Sequence, residues 1–150
     1  MSSLVIIRSY SPFSMRNIYF LAIVILALLV VGWVSHTVTR HIIRILPLVG
    51  ALSFSIRKPQ WSSWVALPLY TFWLLIMALI WLFLFGVSRI ITGSFSSTEI
   101  AMTILIGISC GLGILNSYRT KSAVKLITKI VLFVWLGILQ ILAMWLSFIG

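Results

Sequence analysis

The segment WVSHTVTRHIIRIL, residues 33–46, carries the densest set of groups able to bind a charged ligand. At about 100° per residue, His36, Thr37, Arg40, His41 and Arg44 share an arc of about 140° on a helix. Val34, Val38, Ile42, Ile45 and Leu46 occupy the other side. Two guanidiniums and two imidazoles one turn apart could hold a phosphate or a lipid headgroup. The same pattern also describes an amphipathic helix anchored in the membrane interface by ordinary basic residues. His36 and His41 are poorly spaced for two ligands on one helix, and no carboxylate cluster or further His completes a metal site. Neither a metal nor haem nor another cofactor is expected.

A second basic group is Arg119, Lys121, Lys125 and Lys129. Its lysines recur every fourth residue, a stripe leading into the last apolar run. Each base near an anionic leaflet contributes about 1 kcal/mol of attraction, and long stems at a helix end carry their charge out of the hydrocarbon. Anchoring to anionic phospholipid is one reading, and docking to an acidic face of a partner is the other. The sequence GISCGLG offers a packing motif instead of chemistry. Gly107 and Gly111 form a small-xxx-small pair with Thr103 and Cys110 close to the same face, which lets two helix backbones approach. Ser109 and Gly113 point elsewhere, so this helix can contact neighbours on two sides. Cys110 has no base nearby in sequence and reads as a buried small residue.

Glu99 is the only acid in the chain. Ser96 and Glu99 have the spacing of a capping box, which assigns that carboxylate to a helix start and not to a proton path. The chain has 11 Lys and Arg, no Asp, 62% apolar residues and 8% charged ones. Soluble domains carry about 25% charged residues, so a water-soluble globule is excluded, and disorder fails on the excess of apolar residues. Two-carboxylate hydrolysis and intramembrane aspartyl chemistry lack their residues. Sites for calcium or magnesium lack their ligands. One cysteine excludes an internal disulfide. The basic charge is split among loops between apolar runs, which is not the footprint of a nucleic-acid binder.

A membrane helix needs about 20 mostly apolar residues. Residues 18–34, 64–86, 100–118 and 130–149 qualify, and their cores lack Lys, Arg, Asp and Glu. The first exceeds a usual signal-peptide core, and no clear cleavage site follows it, so an uncleaved anchor is expected. Trp33, Trp61, Trp64 and Trp145 stand near span ends, where indole rings favour the headgroup layer. Residues 35–56 are harder to place. After Arg44 the run ILPLVGALSFSI is short for a crossing and contains Pro47 and Gly50, which points to an interfacial or re-entrant segment.

The expected fold is therefore a single all-α polytopic membrane domain over residues 1–150. It has four transmembrane helices and an amphipathic or re-entrant segment after the first, with five crossings as the alternative. Basic loops favour the cytoplasm. Four spans with the N-terminus outside put Arg40, Arg44, Arg57, Lys58, Arg119, Lys121, Lys125 and Lys129 inside. Five spans with the N-terminus inside exchange Arg40 and Arg44 for Arg8 and Arg16. Both models place eight bases inside and three outside, so charge does not separate them.

Two four-span families of this size are excluded on their key residues. The Arg- and Glu-containing motif of microsomal glutathione transferases is absent, and so is the first-helix Glu of small multidrug transporters. The functional expectation is a non-enzymatic protein of the bacterial cytoplasmic membrane that packs against other integral membrane proteins. An accessory subunit and an immunity or exclusion factor both fit. The alternative is a lipid- or anion-binding protein, or a small transporter, using the basic residues after the first span.

Overall fold

The computed structural model describes residues 12–91, 93–120 and 124–149. They form five α-helices: α1 (Pro12–Val34), α2 (Val38–Arg57), α3 (Ser62–Leu84), α4 (Ser97–Arg119) and α5 (Leu126–Ile149). A 3-10 turn, Pro59–Trp61, leads into α3. All five helices are long and apolar enough to cross a membrane. The chain is an all-α membrane protein.

The helix boundaries follow from local chemistry. At the end of α1 the Ser35 hydroxyl donates to Val31 O at 2.7 Å, and Thr37 N donates to Gly32 O at 2.9 Å. His36 between them takes a left-handed backbone, φ 55°. A side chain that bonds the previous turn and a positive φ both stop helix propagation. At the end of α3 Gly86 adopts φ 74°. Its N–H meets Phe83 O and that of Val87 meets Leu82 O, both at 2.9 Å, the Schellman arrangement that satisfies last-turn carbonyls. The capping box expected before α4 is present. Glu99 N donates to Ser96 Oγ at 3.3 Å, and Ser96 N donates to Glu99 Oε2 at 2.7 Å.

The segment expected to lie in the interface is a continuous helix of 20 residues. Pro47 lies inside it and does not break it. Neighbouring helices make a proline tolerable in a membrane bundle, and the polar first turn around Arg40 supplies the length that the apolar run lacks. One stripe of α2, His41, Ile45, Leu48, Ala51 and Ser55, is buried. Five helices of spanning length are what the five-crossing alternative requires.

The helix α3 touches all the others. The helix α4 packs on α1 and α3, whereas α5 packs on α2 and α3. Leu21, Val24, Leu48, Leu69, Tyr70 and Ile106 lie at the centre, fully buried. Helices alternate in direction, which defines two ends. At the first end α1, α3 and α5 begin and α2 and α4 finish. The second end is the reverse.

Candidate functional site

The arc predicted for residues 36–44 does not converge in three dimensions. His36 sits exposed in the turn before α2. His41 faces α1, where its Nδ1 lies 3.1 Å from both Thr37 Oγ1 and Thr37 O. A Cβ on Gly32 would lie 2.8 Å from His41 Cβ, so the glycine is what lets this imidazole pack inward. Arg44 turns the other way, toward α5. Its Nε donates to Ser147 Oγ at 2.8 Å, and its guanidinium carbon lies 5.1 Å from the centre of the Phe148 ring. The backbone oxygen of Arg44 accepts from Gln140 Nε2 at 3.0 Å. Arg40 is exposed one turn earlier. The two arginines stay together, and the two histidines leave the group.

At the first end, Lys129 Nζ lies 4.0 Å over the Trp64 ring, a cation–π contact at the level where indoles anchor. Lys125 and Arg119 are exposed. Lys121 lies outside the described residues.

The small-residue motif of α4 divides. The Thr103 hydroxyl accepts from Trp81 Nε1 at 3.1 Å and donates to Ile100 O at 2.7 Å. Gly107 lies beneath the Trp81 ring, so that an added Cβ would be in ordinary contact at 3.5 Å. Cys110 is fully buried. Gly111 faces open space, with nothing within 4 Å of an added Cβ. Gly113, which the sequence assigns to another face, makes the closest approach: an added Cβ would lie 2.5 Å from the Tyr70 ring. These contacts are internal to the chain. Beside them, Leu74, Met77, Ala78, Trp81, Gly107 and Ile108 line an apolar dent of about 200 Å³ between α3 and α4.

Two arrangements escape sequence reasoning. The first is a buried polar hub at the first end. Asn17 Nδ2 donates to Ser63 Oγ at 2.9 Å and to Ser117 Oγ at 3.3 Å. Asn17 Oδ1 accepts from Asn116 Nδ2 at 2.9 Å, and Asn17 O accepts from the Tyr70 hydroxyl at 2.7 Å. Three helices are tied at one point. The signal in the sequence is slight: the chain has only two asparagines, and each falls near the first-end terminus of its helix.

The second lies on α5. Gln140, Ala143 and Ser147 face inward and are buried. On the opposite side Val131, Trp135, Ile138, Leu142, Trp145 and Ile149 are all exposed. They belong to a broader exposed face that also holds Phe133, Val134, Ile141, Leu146 and Phe148, and their spacing of four and three residues is the period with which one helix packs along another. The apolar window of α5 is 17% buried inside the bundle, against 33% for α1, α3 and α4.

No protein-family model, no curated protein and no solved structure matches the chain. Among the described residues no three His, Cys, Asp or Glu side chains come together.

Proposed function

We propose that this is a non-enzymatic multi-pass membrane protein whose outward α5 face packs against another integral membrane protein. An accessory subunit of a larger complex and a small immunity or exclusion factor are the two forms this takes. The observation that carries the reading is the exposed stripe Val131, Trp135, Ile138, Leu142, Trp145 and Ile149, which has the spacing of a helix–helix seam. Lipid tails are as apolar as these side chains, so exposure alone drives no association in a bilayer. A regular seam with two tryptophans offers the packing that does. Thr103, Asn116 and Ser117 of α4 are engaged within the chain, and α5 is the helix least buried by the bundle.

The basic residues Arg16, Arg57, Lys58, Arg119, Lys125 and Lys129 belong to the first end. The positive-inside rule orients that end toward the cytoplasm, and the bacterial cytoplasmic membrane is the proposed location. Purification from native membranes in mild detergent tests the reading. A stoichiometric membrane protein is retained with the native chain and lost with Trp135→Ala/Ile138→Ala. A strictly monomeric chain with no retained partner contradicts the reading.

A further inference from the structure

We infer that Arg40 and Arg44 form a phosphate-binding site where α2 meets α5 at the second end, and that the phosphate it holds is that of an anionic phospholipid. The depth of the site follows from two contacts. Gln140 and Ser147 are seven residues apart on α5, about 10.5 Å at 1.5 Å per residue. The backbone oxygen of Arg44 is held at the level of Gln140, and its guanidinium is held at the level of Ser147. The Gln140 side chain spans part of that rise, and the Arg44 side chain reaches up the rest, toward the helix end at Ile149. A membrane arginine that climbs in this way delivers its charge to the headgroup layer.

The guanidinium is also oriented. Ser147 Oγ donates its one proton to Met144 O at 2.6 Å and accepts from Arg44 Nε at 2.8 Å, which fixes the direction of this hydroxyl. The Phe148 ring lies against the guanidinium. The Nη edge of Arg44 has no protein partner among the described residues. Arg40 is exposed one turn nearer the second end on the same face of α2. Like charges at this spacing repel, and an anion between them reverses the sign. Among the described residues no acidic side chain is bonded to either guanidinium. The one acidic side chain of the sequence, Glu99, accepts from Ser96 N at 2.7 Å and from Ser96 Oγ at 2.8 Å at the start of α4.

Planar guanidiniums match phosphate oxygens in pairs. Two guanidiniums with no acidic side chain bonded to them among the described residues favour a headgroup whose phosphate has no ammonium of its own. Phe148, Ile141 and Val134 are exposed at seven-residue intervals. They continue down the side of α5 that the guanidinium stacks on, the course an acyl chain would follow.

The test is thermal unfolding of the full chain in mild detergent, titrated with phosphatidylglycerol, phosphatidylcholine or inorganic phosphate. Phosphatidylglycerol raises the midpoint saturably, and the other two do so weakly or not at all. Arg40→Gln raises the half-saturating phosphatidylglycerol concentration at least fivefold. Arg89→Gln, an exposed cation at the same end, changes it less than twofold. Arg44→Gln also removes the Ser147 contact, so the exposed Arg40 carries the decision. Equal effects of phosphatidylcholine, or of Arg89→Gln and Arg40→Gln, overturn the site. An equal response to inorganic phosphate overturns its assignment to lipid. A co-purifying protein lost on Arg40→Gln, with no lipid response, assigns the anion to a partner's carboxylate and also overturns it. None of these outcomes bears on the α5 seam, which Arg40 does not touch.

Discussion

The helices α4 and α5 flank the bundle on opposite sides, and they solve the problem of holding together in lipid differently. The helix α4 uses small and polar residues. Thr103, Gly107, Cys110, Gly113, Asn116 and Ser117 bring it close to α1 and α3 and bond it there. The helix α5 touches the bundle along a narrow buried stripe of Gln140, Ala143 and Ser147 and presents large apolar residues outward. In a bilayer, small residues mark where backbones have already met. Most of the α4 motif therefore reports an internal seam, with Gly111 left facing outward, and the helix with the most surface left uncovered is α5.

Removing the hub that ties the last turn of α4 sharpens this contrast most. Asn17→Leu deletes three side-chain hydrogen bonds, to Ser63, Ser117 and Asn116. Its expected cost is about 2–4 kcal/mol, since each buried hydrogen bond contributes about 0.5–1.5 kcal/mol net. Unfolding by titrated denaturing detergent measures it. Gly113→Ala follows at about 1–3 kcal/mol, the usual range for overpacking. Gly111→Ala, two residues earlier and on the opposite face, changes stability by less than about 0.5 kcal/mol in the same assay. Equal effects at the two glycines would show that α4 does not sit as described.

On α5 the effects are smaller. Gln140→Leu loses the bond to Arg44 O but also removes a buried Oε1 that has no partner. The two changes offset, and the net effect is within about 1 kcal/mol, near the average interhelical hydrogen bond of about 0.6 kcal/mol. Smallest of all, Trp135→Ala leaves unfolding unchanged to within about 0.5 kcal/mol, as expected for an exposed side chain, while removing the co-purifying partner. A large loss of stability at Trp135 would break the comparison.

Much of the architecture is legible in the residues. Helical content, the long apolar runs and the Ser96–Glu99 cap follow from composition and spacing alone. The helix α2 is less legible because Pro47, Gly50 and a polar first turn lower its apolar count, and its packing on α1, α3 and α5 shows it as a full-length helix. The arc from His36 to Arg44 requires an unbroken helix. Ser35 and His36 interrupt that helix, and Gly32 draws His41 away from the arginines. Pairing of Asn17 with Asn116, and of Arg44 with Ser147, depends on which helices become neighbours, and periodicity within one helix cannot supply that. The heptad stripe of α5 was present in the sequence, but a helix apolar all round does not declare its outward side until the inward one is known.

Photocrosslinking in native membranes tests the central claim most directly. A photoreactive residue at Ile138 on the α5 seam is compared with one at Leu112, an exposed position on α4. A discrete protein adduct from Ile138, with lipid adducts alone from Leu112, is the predicted result. Lipid adducts alone from both positions, or the same protein adduct from both, would contradict it.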